Sequence, residues 1–131
     1  MSQPLIAELG AGRRVVARYG DFEIATDQSV EAGGEGSAPE PFDLFLASVA
    51  TCAGAYVAGF CRQRDIPTAG IRLVQTWQRD ASRRVERIDL EIELPAGFPQ
   101  KYRDAVVRAA EQCSVKKLLA DPPAVVTRVR S

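Results

Sequence analysis

Residues 44–61 read LFLASVATCAGAYVAGFC, eighteen positions without a charge. That length approaches what a helix needs to span a bilayer, and Arg62 and Arg64 follow it as a basic flank would. Nine of the eighteen, however, are Ala, Gly, Ser or Thr, which favour hydrocarbon little. The segments on either side alternate like a soluble fold that needs a helix to cover its sheet. The stretch therefore reads as a completely buried central helix, apolar on every face. Pro41 suits its first helical position, where a missing N–H costs nothing, and Glu40 and Asp43 complement the positive helix start. Helical spacing gives a core stripe of Phe45, Val49, Cys52, Tyr56 and Phe60. Small residues on the other faces (Ala47, Ser48, Ala50, Ala53, Gly54, Ala58) allow close packing, and Pro67 and Gly70 end the run.

Upstream, residues 14–19 and 22–26 flank Gly20-Asp21, the signal of a tight β-hairpin. Residues 27–40 follow, and their second half holds Gly33, Gly34, Gly36 and Pro39, which marks a loop; its small polar side chains suggest a mobile one. Downstream, residues 71–78 alternate as a strand, and residues 88–94 alternate more regularly still, so the two form an antiparallel hairpin with one wet face. Trp77 falls in sheet core or dimer-interface packing, and Arg83, Arg84 and Arg87 form a solvated turn and edge. Tyr102, Val106, Ala109 and Cys113 share one face of a second helix, residues 115–120 suit a short further helix, and residues 124–129 read as a final strand. The order is strand, strand, long helix, strand, strand, helix, short helix, strand. It describes an α+β fold, helices against one antiparallel sheet, in one domain over residues 1–131.

Composition narrows the chemistry. The chain has 131 residues, 17 Lys+Arg against 17 Asp+Glu, three Cys and no His. Zero net charge argues against a nucleic-acid partner, which needs a basic face. The missing His removes Ser-His-Asp and Cys-His catalysis, histidine metal sites and the usual base near neutral pH. No C-x-x-C occurs, no metal or cofactor is implied, and the N-terminus shows no export signal; an odd Cys count then reads as cytoplasmic thiols. A pair of thiols is the nucleophilic apparatus that remains.

Cys52 lies midway along the apolar helix and Cys113 at the end of the second, each on a core-facing stripe, so packing of the two helices brings them together. The alternative is inert packing, since free Cys is among the most buried residue types. A new helix beginning after Cys113, with Lys116 and Lys117 close by, would lower that thiol's pKa. Cys61 is nine residues beyond Cys52, about 180° round the helix, and reads as packing.

The run from Gly33 to Cys52, GGEGSAPEPFDLFLASVATC, resembles the signature of the OsmC/Ohr family: a glycine-rich loop, a Pro-x-acid-Leu start and a small-residue helix reaching a cysteine. Residues 109–116, AAEQCSVK, are similar to its second cysteine motif, usually Cys-Pro-Val. The resemblance covers roughly residues 13–130, with the elements in the same order, and Pro-Phe-Asp-Leu is closest to the OsmC-like branch. It implies an intertwined homodimer in which each half contributes strands around paired central helices. It also implies a thiol peroxidase for organic hydroperoxides, with Cys52 as peroxidatic thiol, Cys113 as resolving thiol and an external dithiol as reductant. An apolar wall at Phe45, Val49 and Tyr56 would suit a greasy hydroperoxide. In the peroxidase groups an Arg and a Glu after the helix-starting Pro activate the thiolate. Here Phe42 follows that Pro, the nearest acid is Asp43, and the Arg is Arg18 or Arg14. Ser114 stands where the motif usually has Pro. The alternative is a non-enzymatic OsmC-like dimer that binds a small apolar ligand, or a slow redox sensor. Neither reading involves a membrane.

Overall fold

A computed structural model describes residues 3–130. Two compact units form, one ending at Ala47 and the other beginning at Ser48.

The first unit carries a three-stranded antiparallel sheet, β1 (Ile6–Leu9), β2 (Val15–Tyr19) and β3 (Phe22–Thr26), in that order. The β2–β3 hairpin turns at Gly20-Asp21 as the sequence predicts: Tyr19 pairs with Phe22, and Gly20 takes φ 56, a left-handed conformation that glycine adopts without a Cβ penalty. The sequence reading had no strand at β1. Four residues carry too little alternation to stand out, yet they pair along the free edge of β2 from Ile6↔Arg18 to Leu9↔Val15.

The glycine-rich segment after β3 is tied down rather than loose, and the anchor is Asp27. This buried carboxylate accepts from the backbone N–H of Gln28 at 2.7 Å, Glu35 at 3.3 Å and Ser37 at 3.0 Å, and from the Ser37 hydroxyl at 2.6 Å. These bonds, the Ser37 hydroxyl foremost, hold its pKa down at about 2 against desolvation. Gly34 passes so close that a Cβ there would lie 2.2 Å from the Gln28 carbonyl oxygen. The long helix α1 (Pro41–Gln63) starts in this unit. Asp43 Oδ2 accepts from the Glu40 N–H at 2.9 Å, satisfying one backbone donor at the helix entrance.

The second unit holds the rest of α1, the antiparallel pair β4 (Arg72–Arg79) and β5 (Val85–Glu93), a 3-10 turn (Gln100–Tyr102), α2 (Arg103–Ala110) and α3 (Ser114–Ala120). The β4–β5 register runs from Arg72↔Glu93 to Arg79↔Val85, with a bulge at Gln78/Arg79. Ala53, Val57 and Cys61 of α1 pack with Ile66, Phe98, Val106 and Ala110, and Leu73, Leu90 and Ile92 of the hairpin close one side. Phe60 meets Tyr102 edge-on at 5.7 Å between ring centroids, with the Arg64 guanidinium 3.8 Å above the Phe60 ring.

Four expectations change. The strands form two separate ladders, not one sheet. The inward face of α1 is Ala53, Val57 and Cys61, with Tyr56 exposed, because a helix of small apolar residues on all sides gives periodicity nothing to choose between. Nor does α1 disappear into the chain: it is long and apolar enough to cross a membrane by length and composition, and 28% of its most apolar window is buried, since the second unit covers it with one hairpin and α2. Finally, residues 122–130 form neither helix nor strand. Val125 and Val129 stand 88% and 94% exposed, without the ladder that would make this segment a strand. Trp77, expected in sheet core or at a dimer interface, is 44% exposed within the single chain, so it is not in the sheet core.

Candidate active site at the start of α3

α2 ends at Ala110, and a short turn carries the chain through Cys113 into α3. Cys113 is therefore the residue that caps α3, not the last residue of the helix before it. Its sulfur accepts from the Lys116 N–H at 3.4 Å, which satisfies one of the four unpaired donors of a helix start. Ser114 and Val115 leave further donors free to point outward, and Cys52 of α1 meets them. Cys52 Sγ lies 3.6 Å from Ser114 Oγ.

All three cysteines are free thiols, in three different environments. Cys52 is half-buried, and its pKa falls from the ordinary 9.0 to about 7. The largest cause is a hydrogen bond from the Cys113 thiol, followed by the Val115 N–H; the Ser114 hydroxyl and N–H add to it, while partial burial opposes. Cys113 is 2% exposed, and burial pushes its pKa up, with the hydrogen bond to Cys52 adding to the rise. The expectation that a new helix and two lysines would lower Cys113 is thus reversed. Burial outweighs the Lys116 and Val115 N–H groups, which still pull on Cys113 in the expected direction, and Lys116 Nζ pairs with Glu111 at 3.3 Å. Cys61 is 0% exposed in the core, and burial raises its pKa too. The pair accordingly splits into a thiolate former at Cys52 and a donor thiol at Cys113 beside it.

A cavity of about 590 Å³ adjoins Cys113 in the second unit. Cys113 lines it together with Val49, Ala53, Leu90, Ile92 and Val107, and Arg103, Asp104, Glu111 and Lys116 add charge to its lining. An apolar wall with a few polar groups is the usual character of a small-molecule site. Of the residues expected to form the apolar wall, Val49 lines this cavity. Phe45 packs against Phe42 at 5.3 Å between ring centroids, tilted by 32°, in the first unit.

The other expected site residues are engaged in the first unit. Asp43 caps α1. Arg18 pairs with Glu8 across β1–β2 and with Glu23 at 3.3 Å across β2–β3. Arg14 donates to Ser37 Oγ at 3.0 Å and pairs with Glu35 of the glycine-rich segment. No group of three or more metal-ligating side chains occurs among the described residues. Sequence reasoning missed the hydroxyl of Ser114 and the N–H of Val115. The signal was present: a serine directly after a cysteine at a helix start puts a hydroxyl and fresh N–H donors in one place.

Comparison with known proteins agrees in family and fold. The family model described as OsmC-like protein matches residues 34–128. A Psychrobacter arcticus protein, described as an osmotic stress induced and detoxification response protein, superimposes with a TM-score of 0.78 at 26% identity, over 89% of this chain and 88% of its own. The organic hydroperoxide resistance protein OsmC of Legionella pneumophila gives 0.58 at 24% identity over 91% and 90%. OhrB of Bacillus subtilis, an organic hydroperoxide resistance protein, gives 0.56 at 17% identity over 93% of both chains. No curated protein matches the chain.

Proposed function

The chain belongs to the OsmC-like family, and from that premise we propose that it is a thiol-dependent peroxidase reducing organic hydroperoxides through Cys52 and Cys113. The observation that carries this reading is the split of the two thiols, with Cys52 drawn down to about 7 by its donors and Cys113 pushed up by burial. A sulfur ionised near neutral pH is the nucleophile such chemistry needs. The Cys52 thiolate attacks the terminal oxygen of the hydroperoxide. An S–O bond forms, the O–O bond breaks, and the alkoxide takes a proton and leaves as the alcohol. Cys52 is now a sulfenic acid. Cys113 condenses with it, forming the disulfide and releasing water. An external dithiol then reduces that disulfide by exchange through a mixed disulfide. The apolar cavity that Cys113 lines supports an organic substrate over hydrogen peroxide.

We further propose that the working form is a homodimer. Much of the apolar window of α1 is only half-buried, with Tyr56 exposed, Phe22, Trp77, Val125 and Val129 are exposed, and residues 122–130 lack a ladder in the single chain. A second copy would bury such surface. Light scattering coupled to size exclusion tests this, and a 14.2 kDa monomer at micromolar concentration would overturn it.

Stopped-flow consumption of cumene hydroperoxide with dithiothreitol tests the activity itself. Wild type should turn over, Cys52→Ser should be inert, and Cys113→Ser should react without forming the disulfide, leaving a sulfenic acid that dimedone traps. Equally slow consumption by all three would sink the reading. The cavity favours a second reading, a dimer that holds a small apolar ligand without chemistry. Absence of peroxide consumption together with saturable binding of an apolar fluorescent probe, displaced by Val107→Trp in the cavity wall, would select it.

A further inference from the structure

Four groups donate toward Cys52, and they are not equivalent. The Cys113 thiol is itself a reactant in the proposed cycle: once the disulfide has formed it has no proton to give. The backbone N–H groups of Ser114 and Val115 are fixed by the course of α3. The Ser114 hydroxyl is the remaining donor, 3.6 Å from Cys52 Sγ, on an exposed residue whose side chain rotates freely about one bond. Either atom of that contact can donate while Cys52 is a thiol. When Cys52 is a thiolate the direction is fixed, because only the serine has a proton. A proline at this place would supply neither the hydroxyl nor the N–H.

We propose that Ser114 is a positioning residue for the nucleophile, its hydroxyl donating to the Cys52 sulfur and holding the thiolate at the start of α3. The inference rests on Cys52 being the reactive thiol. A second observation supports it: the Ser114 side chain is among the groups that lower the Cys52 pKa, ranking after Cys113 and the Val115 N–H and opposed by burial. Cys113 is the titratable group set against Cys52, and the neighbouring Glu111–Lys116 pair is mutually neutralising. Ser114 is not the capping residue of α3, since the acceptor for Lys116 N–H is Cys113 Sγ. Removing the hydroxyl therefore leaves the helix start intact, and its effect reads on Cys52 alone.

The test is the pH dependence of iodoacetamide alkylation at Cys52 in the full-length protein, followed by mass spectrometry of the peptide that contains it. Wild type should show its inflection near pH 7, following the lowered pKa of about 7. Ser114→Ala should move the inflection upward by about half a pH unit, the scale of one net hydrogen bond, and Ser114→Thr, which keeps the hydroxyl, should restore it. Ser114→Gly gives a second hydroxyl-free variant should the alanine form misfold by circular dichroism. Identical inflections in the wild type and a folded hydroxyl-free variant would overturn the inference. A shifted inflection in a protein that consumes no hydroperoxide would leave the role of Ser114 standing and bring down the proposed activity instead, so the two failures are distinguishable.

Discussion

Cys52 and Cys113 shift in opposite directions: a hydrogen bond from the Cys113 thiol leads the causes that bring Cys52 down to about 7, while burial first, and Cys52 second, push Cys113 up. A buried thiol next to a half-buried thiolate is an ordered arrangement, because the proton stays on the sulfur least able to carry charge. In the proposed cycle this ordering would give the first reaction to Cys52 and keep Cys113 protonated until Cys52 is oxidised.

Removing Cys113 should therefore weaken Cys52 as a nucleophile at neutral pH. In Cys113→Ala the first-ranked donor is gone, and the Cys52 pKa should climb from about 7 toward its ordinary 9.0. A rise of one unit cuts the thiolate fraction at pH 7 from about one half to about one tenth, a roughly fivefold loss of alkylation rate. The deficit closes as pH rises, since both proteins are fully ionised well above 9, where the more basic thiolate is the better nucleophile. Equal rates for the two proteins at pH 7 would contradict the donor role.

Cys61 should behave as the opposite kind of cysteine. It is 0% exposed among Ala53, Val57 and Val106, and burial raises its pKa. In native protein Ellman's reagent should modify Cys52 and leave Cys61 untouched until denaturant is added. Cys61→Ser places a hydroxyl in that apolar cluster and should cost about 1–3 kcal/mol in urea unfolding, with hydroperoxide consumption unchanged in the fraction that is folded. Rapid native labelling at Cys61 would refute this.

The sequence revealed the parts that depend on strong local signals. Gly20-Asp21 between alternating runs located the β2–β3 hairpin, the alternation of residues 88–94 located β5, and a charge-free run behind Pro41 located α1. What it hid depends on distance along the chain. Asp27 is ten residues from Ser37, and nothing near it marks a carboxylate that organises a glycine-rich segment, so that segment read as loose. The face of α1 was hidden for the reverse reason, an excess of equivalent apolar positions. For the site, the cysteine pair was legible and its polarity was not. Which thiol is buried, and which receives the donors of α3, follows from packing between residues more than sixty apart, as Cys52 and Ser114 are.

Asp27 should give the first unit a recognisable dependence on pH. Its folded pKa of about 2 lies below the ordinary 3.8, so the carboxylate form is favoured by folding. The contribution is complete above about pH 4 and disappears as pH falls through about 2. Asp27→Asn removes the charge that Ser37 and three backbone N–H groups are built around. The variant should melt lower than wild type at pH 7, and the two melting curves should approach each other as the pH is taken down toward 2. A gap that is constant from pH 7 to pH 2 would assign the loss to shape alone.

Gly34 tests the same anchor without touching its charge. Its φ is not left-handed, so any penalty for a side chain there is one of space. A Cβ would fall 2.2 Å from the Gln28 carbonyl oxygen and 2.7 Å from Asp27 Oδ1, and neither neighbour can yield: the first is backbone, and the second is held by Gln28 N–H at 2.7 Å. Gly34→Ala should destabilise by about 1–3 kcal/mol, the usual range for inserting a methyl into filled space. Because the added Cβ would press on the Asp27 carboxylate as well as on Gln28, Gly34→Ala and Asp27→Asn act on one network, and the double variant should lose less than the two single losses added together. Chemical denaturation of the four proteins at pH 7 measures that coupling, and strict additivity would mean that Gly34 and Asp27 hold the segment independently.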